Sequence, residues 1–332
     1  MWVSIGIRLT EASFSLSNQS LEFDTMNYSI QKFQNALSDA ERQVLQLCLQ
    51  EAMQAVPDDA VPWYLGDAAS PKGYLKPEHA KVLLSLRQDW LTEPQGLRWD
   101  TPEKTPASRS LALAKLAAEL SDLGHVTGWR NEKFSYWPDT TILANGHPVE
   151  PTNKLAAAFE MERAAYRFFG LRAHAVHVNG FTEDGYMWCG RRSMAKATDP
   201  GMLDNMAAGG LTVGESLQSC GVREMAEEAG LSEALALSAV AQGQVTTCRA
   251  VPRGWHYETL WVYNLLMPAD VKPVNQDGEV AEFSLLSPQQ VVRAIAEKQM
   301  TVDAACVVAH AVLHACGLQE VEQNGAVVQR PL

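Results

Sequence analysis

A mixed β-sheet sandwiched between helices, an α/β/α architecture preceded by a smaller α+β domain, is the fold this sequence predicts. Three observations carry the prediction: strand-like and helix-like runs interleave from residue 151 onward, one helix there has both its start and its stop written in the sequence, and the first third carries helices and strands of its own. At 332 residues the chain exceeds ordinary single-domain size. The expected division is a disordered tail over 1–25, an N-terminal α+β domain over 26–150 and a second, chemistry-bearing domain over 151–332.

Taken in order, residues 27–53 place Leu37, Val44, Leu45, Cys48 and Leu49 at helical spacing, which predicts an amphipathic helix in the second half of that stretch. Residues 76–91 and 108–123 predict two more helices, the first with Pro77 near its start and the second ending before Gly124. The stretches 67–73 and 92–106 are rich in turn residues. β-Branched and aromatic residues over 126–137 and 140–143 predict strands. A linker is expected at 148–153 and a helix over 155–169, stopped by Gly170. Short strands follow at 174–178 and 186–190, then a long loop over 193–210 and a strong helix over 213–229. Strands at 245–249, 257–266 and 280–286 and helices at 288–298 and 302–315 complete the chain.

Composition narrows the function. The formal net charge is -12, with 39 acidic residues against 27 basic ones, so a nucleic-acid partner, which needs clustered Lys and Arg against phosphates, is not expected. The six cysteines form no CxxC pair, no apolar run approaches a membrane span, and the opening residues do not form a secretory signal. These features predict a cytoplasmic protein with no membrane partner, compatible with a homodimer.

The chemistry concentrates between Gly209 and Leu231. At about 100° per residue, Glu224, Glu227 and Glu228 fall within a roughly 100° arc of one helix face. Like charges so placed repel, by a few tenths of a kcal/mol for each exposed pair. A hard divalent cation, Mg²⁺ or Mn²⁺, compensates them and bridges to phosphate oxygens; a solvated acidic face is the bland alternative. Arg223, four residues before Glu227, is positioned to hold that carboxylate or Glu215 in one rotamer. Thr212 and Glu215 have capping-box spacing, giving Glu215 a structural role, and Gly230 sits where a C′ glycine ends a helix. Gly209 permits close backbone approach, so a carbonyl there can complete a metal shell. Further along, Asp277-Gly278-Glu279 forms a turn entering a strand, where Glu279 is either a further ligand or general base, or a turn residue, and Asp277 is turn chemistry. Arg191, Arg192 and Lys196 are candidates for clamping phosphate, against a bland reading as solvated charge. Trp129, Trp137 and Trp255 are weak candidates for stacking on a cationic ring, which an acidic protein could suit. His310 and His314, at i and i+4, are read as ordinary helix residues because no third ligand is in view.

Gly209, Glu215, Arg223-Glu224, Met225, Glu227-Glu228, Gly230 and Leu231, at these spacings, resemble the complete signature of the Nudix hydrolase family. That resemblance implies a Nudix α/β/α sandwich over 151–332, Mg²⁺- or Mn²⁺-dependent cleavage of a phosphoanhydride, catalysis by Glu224, Glu227, Glu228, Arg223 and Glu279, and metal binding at Glu224, Glu227, Glu228 and Gly209. Phe159-Glu160-Met161-Glu162-Arg163-Ala164-Ala165, His177-Val178-Asn179-Gly180, Met187-Trp188-Cys189-Gly190-Arg191-Arg192-Ser193, Lys196 and Pro200-Gly201-Met202-Leu203-Asp204-Asn205 further resemble the thiamine pyrophosphokinase-related branch of the family. The branch implies a small-molecule substrate, thiamine diphosphate or its oxidised oxo and oxy analogues, released as the monophosphate, with the N-terminal domain helping to select it. A nucleoside diphosphate derivative such as ADP-ribose or a dinucleotide is the alternative, and a non-catalytic sensor a third.

Overall fold

Serine, threonine and proline mark where the helices of this chain begin. The computed structural model describes residues 25–52, 54, 56–137 and 157–314, with the backbone of 319–323 and 326–330. Helix α1 spans residues 25–35. Helix α2 (Asp39–Glu51) starts from a capping box of Ser38 and Glu41. Strands β1 (Val61–Leu65), β2 (Gly73–Leu75), β3 (Trp90–Glu93) and β4 (Gly96–Trp99) make a sheet ordered β2-β1-β4-β3. Helices α3 (Pro77–Leu86) and α4 (Pro106–Asp122) each carry proline at their first position, where its missing N–H leaves no bond unmade. The antiparallel pair β5 (Lys133–Tyr136) and β6 (Phe159–Glu162) joins this group. Trp63, Trp90, Leu83, Leu116, Phe159 and Phe169 share its core.

The second sheet follows a short helix α5 (Tyr166–Phe169) and contains β7 (Arg172–Phe181), β8 (Met187–Arg192), β9 (Leu203–Asp204), β10 (Ala207–Gly210), β11 (Val240–Val251), β12 (Gly254–Leu266) and β13 (Val280–Leu286). Its order is β11-β12-β7-β8-β13, with β10 on β7 and β9 on β8. β7 runs parallel to β12, whereas β11–β12, β7–β8 and β8–β13 are antiparallel, so the sheet is mixed. All of β7 after Arg172 is buried, which follows from helices on both faces. On one side Val176 and Val178 pack with Leu217, Cys220 and Met225 of α6 (Leu217–Ala229), which is followed by α7 (Glu233–Ala236). On the other, Ala175 packs with Val307 and Ala311 of α9 (Val302–Leu313), which follows α8 (Pro288–Ala296). A hairpin of β14 (Gln319–Gln323) and β15 (Ala326–Arg330) closes the described chain. Helices α1 and α2, first in sequence, pack on the last two: Ile30, Phe33 and Leu45 share a core with Val291, Val308 and Val312. No helix among the described residues is long and apolar enough to cross a membrane.

Several expected elements are corrected. The helix expected over 155–169 is β6, a 3-10 turn (Arg163–Ala165) and α5. Phe159 and Met161 bury alternate positions against β5, and Glu162 then accepts the N–H of Ala164 and ends the strand. The expected stop at Gly170 is present, with φ at 58°. The helix expected over 76–91 ends at Leu86, because Trp90 pairs with Trp99 in a hairpin. The strand expected over 126–137 contracts to β5, and the loop over 193–210 contains β9 and β10. The helix expected from residue 213 begins at Leu217: Ser216 caps it through the Ser219 N–H, so Thr212 and Glu215 lie before it. The expectations for 1–24, 140–143 and 148–153 lie outside the described residues.

Candidate functional site

Glycine at position 209 lets the edge of the second sheet come against α6. A Cβ built on Gly209 would stand 1.7 Å from Oε1 of Glu224, so this strand and that carboxylate can touch only without a side chain between them. From α6, Glu224 and Glu228 are buried and Glu227 stands at the rim. Arg223 ties the group together. Its Nε donates to Glu215 at 2.6 Å, its η nitrogens donate to Glu224 at 2.6 Å and Glu227 at 3.1 Å, and one reaches the Gly210 carbonyl at 3.4 Å. The hydrogen bond to Glu215 outweighs burial and raises the guanidinium above its already high ordinary pKa. Glu215 also accepts the Thr212 N–H at 3.1 Å, one of the two bonds of the expected capping box, although the helix starts later and is capped by Ser216.

Glu228 accepts the Ala208 N–H at 2.9 Å. Burial, reinforced by the Glu224 charge, pushes its carboxyl up to about 8. Burial also raises Glu224, against the pull of Arg223. Carboxylate oxygens of Glu228, Asp277 and Glu279 lie within 4.8 Å of one another. Lys196 inserts its ammonium among them, in contact with Glu279 and 3.9 Å from Glu228, while burial lowers its own pKa. Carboxylates this close offer the hard oxygen donors that a divalent cation takes. Glu224, Glu227, Glu228 and Glu279, with the Gly209 carbonyl, fit a magnesium or manganese ion by donor chemistry and by the close approach that Gly209 allows. Asp277 joins them from a turn where it also accepts the Glu279 N–H at 2.8 Å. That turn bond is all the sequence could show of it.

Glu224, Glu227, Asp277 and Glu279, with Lys196 and Arg223, line a cavity of about 440 Å³, a volume suited to a small molecule; Glu228 lies beside Asp277 and Glu279. Arg192 lines it, donating to Asp204 at 2.7 Å and to the Thr198 carbonyl. Arg191 does not; it donates to Glu282 at 2.8 Å and to the Gly201 carbonyl. The site therefore brings Arg192 and Lys196 to the cleft and leaves Arg191 on the other face of β8. A further group of residues that lines the cleft was not anticipated. These are Arg130, Arg163, Arg167 and Arg253, with Glu132, His256, Glu258 and Asp303. His256 stands 2.9 Å from Asp303 and 3.2 Å from Glu258. Burial alone would pull its imidazole down, but these two carboxylates raise it to about 9. Asp303 also accepts both η nitrogens of Arg249, at 2.7 and 3.0 Å. The signal available in sequence was thin: Arg253-Gly254 at a hairpin, and Arg163 inside a run expected to be helical.

Of the tryptophans, Trp255 lines the cleft, Trp137 is buried in the core beside α6 and Trp129 is exposed. His310 and His314 stack at 4.5 Å and bond to the Gln242 and His310 carbonyls; among the described residues neither belongs to a metal-ligating cluster.

Comparison with known proteins agrees with this architecture. Residues 170–310 match the family model of the NUDIX domain. The chain is 37% identical over 223 residues to Nudix hydrolase 24, chloroplastic, of Arabidopsis thaliana, covering 66% of this chain and 58% of that protein. It is 39% identical over 193 residues to Nudix hydrolase 20, chloroplastic, of the same plant, covering 57% and 48%. The chain thus spans about half the length of these curated relatives. Among solved structures it is similar to the NUDIX domain of Shewanella oneidensis NrtR in complex with ADP ribose, at 17% identity and a TM-score of 0.33, over 46% of this chain and 97% of that one. The cytoplasmic location expected from composition is corrected by these relatives, two of which are named as chloroplastic proteins.

Proposed function

From a chain that carries a Nudix domain at residues 170–310, we propose a divalent-metal-dependent hydrolase that cleaves the phosphoanhydride bond of a small organic diphosphate. The observation that carries this is the convergence of Glu224, Glu227, Asp277 and Glu279 on the cleft, with Glu228 beside Asp277 and Glu279 and Arg223 donating to Glu224 and Glu227. Magnesium or manganese held there supplies charge neutralisation at the phosphate oxygens. The protein's own residues do the rest. Arg223 keeps Glu224 and Glu227 in fixed rotamers, so no rearrangement is needed when a diphosphate arrives. Arg192 and Lys196 face the cleft as donors to phosphate oxygens, and Glu279, at the rim, accepts a proton from the attacking water.

Two substrate readings fit this chemistry. Thiamine diphosphate and its oxidised analogues are supported by the sequence motifs within residues 159–205. A nucleoside diphosphate derivative is supported by Arg130, Arg163, Arg167 and Arg253 lining the cleft, which oppose a cationic thiazolium ring. Gly128, Arg130, Glu132 and Phe134 reach the cleft from the N-terminal side, which supports a role for residues 26–150 in selecting the organic part. The experiment is to incubate the protein and Mg²⁺ with thiamine diphosphate, oxothiamine diphosphate, ADP-ribose and NADH and to weigh the products. A monophosphate released in a reaction abolished by chelator is expected; turnover indifferent to chelator would overturn the proposal.

A further inference from the structure

We propose that Arg130, Arg163, Arg167 and Arg253, which line the same cleft, form an anion subsite, and that the substrate carries a second anionic group, a phosphate monoester or a carboxylate, besides its diphosphate. The proposal deepens the hydrolase reading above and rests on it. Arg130 precedes β5, Arg163 and Arg167 lie on the turn and short helix before β7, and Arg253 sits at the hairpin between β11 and β12. Three separate segments therefore aim guanidinium groups into one cavity, in a protein whose net charge is -12. Of the acids lining the same cavity beside them, two are held by other partners and one by Arg163. Asp303 is held by Arg249 and His256, Glu258 by His256, and Glu132 pairs with Arg163 at 2.8 Å.

Arg167 is half-buried, and its guanidinium makes no hydrogen bond or ion pair with any described residue. Arg253 donates only to neutral acceptors, the Thr127 carbonyl at 3.3 Å and Thr198 Oγ1 at 3.2 Å. Burial and mutual repulsion pull both guanidinium groups below their ordinary values: Arg253 acts on Arg167, and Arg130 and Arg163 act on Arg253. Like charges brought together in a partly desolvated cleft raise the energy of the empty site, and an anion placed among them removes that penalty. Arginine suits the task because its planar fork meets phosphate and carboxylate oxygens in pairs. A substrate in the cleft would present its diphosphate to the acids through the metal and its second anion to these arginines.

The test compares substrates that share a diphosphate and differ by one further anion. ADP-ribose against its 2′-phosphate probes a phosphate monoester; UDP-glucose against UDP-glucuronate probes a carboxylate. With Mg²⁺ present, the anionic member of at least one pair is expected to show a kcat/KM about tenfold or more higher, the scale of one charged hydrogen bond. The preferred pair identifies which anion the subsite takes, and Arg167→Gln should erase most of the preference. Equal kcat/KM within both pairs overturns the inference. A readout independent of turnover uses inorganic phosphate in EDTA. The wild-type melting temperature should rise with phosphate, and Arg167→Gln and Arg253→Gln, each checked for native circular dichroism, should lose most of that rise. Equal rises in all three proteins overturn the subsite whatever the kinetics. Phosphate binding lost in the variants, with no diphosphate hydrolysed by the wild type, would leave the subsite standing and remove the hydrolase reading alone.

Discussion

Gly209 is the residue with the least room for change. An alanine methyl there would meet the Glu224 carboxylate at well under van der Waals distance, so either the strand or the carboxylate must move. Gly209→Ala is expected to lower kcat/KM by at least about tenfold, since small displacements at a reacting centre are amplified, and to weaken Mn²⁺ binding measured by calorimetry. Glu228→Gln keeps a side-chain oxygen to accept the Ala208 N–H, so its circular dichroism should be native while turnover falls by about 10²–10⁴, the contribution of a lost catalytic carboxylate. Near-normal turnover would contradict the role given to Glu228. The three glutamates were legible in the sequence because one helix turn carries them all. Asp277 was not, since its place beside Glu228 is set by the pairing of β13 with β8, a long-range contact that no local pattern encodes.

At the scale of elements, α6 is anchored at both ends, by Ser216 and by Gly230 at φ 63°. Ser216→Ala should destabilise the protein by about 1 kcal/mol in urea denaturation, with catalysis following only as the helix frays. Where β12 meets α9, His256 has its pKa raised from 6.5 to about 9 by Asp303 and Glu258. The folded state therefore favours the protonated ring. Its contribution to stability is complete below about 6.5 and is lost as pH rises through about 9. The melting temperature should fall over that window, and His256→Gln should flatten the fall. Helices α8 and α9 were readable from capping residues and apolar spacing. Residues 155–169 were not: a short run of apolar residues serves a strand or a helix equally, and the partner strand β5 decided for the strand.

Across the whole molecule, the first helices complete the core of the last ones. Phe33 and Leu45 are fully buried with Val291, Val308 and Val312, and the Gln54 N–H and Ala52 carbonyl bond to Cys248. A chain lacking residues 1–52 would expose the apolar faces of α8 and α9, so it should melt at lower temperature and aggregate under conditions where the full chain stays monodisperse; equal melting temperatures would refute this. None of this was visible beforehand, because an amphipathic helix announces that it has a buried face and is silent about what covers it. The same arrangement sets a timetable for biosynthesis. Cys48 touches Cys306, 258 residues further along, so a ribosome must emit all of that intervening chain before α2 meets its partner, and until then its greasy stripe is an obvious client for chaperones.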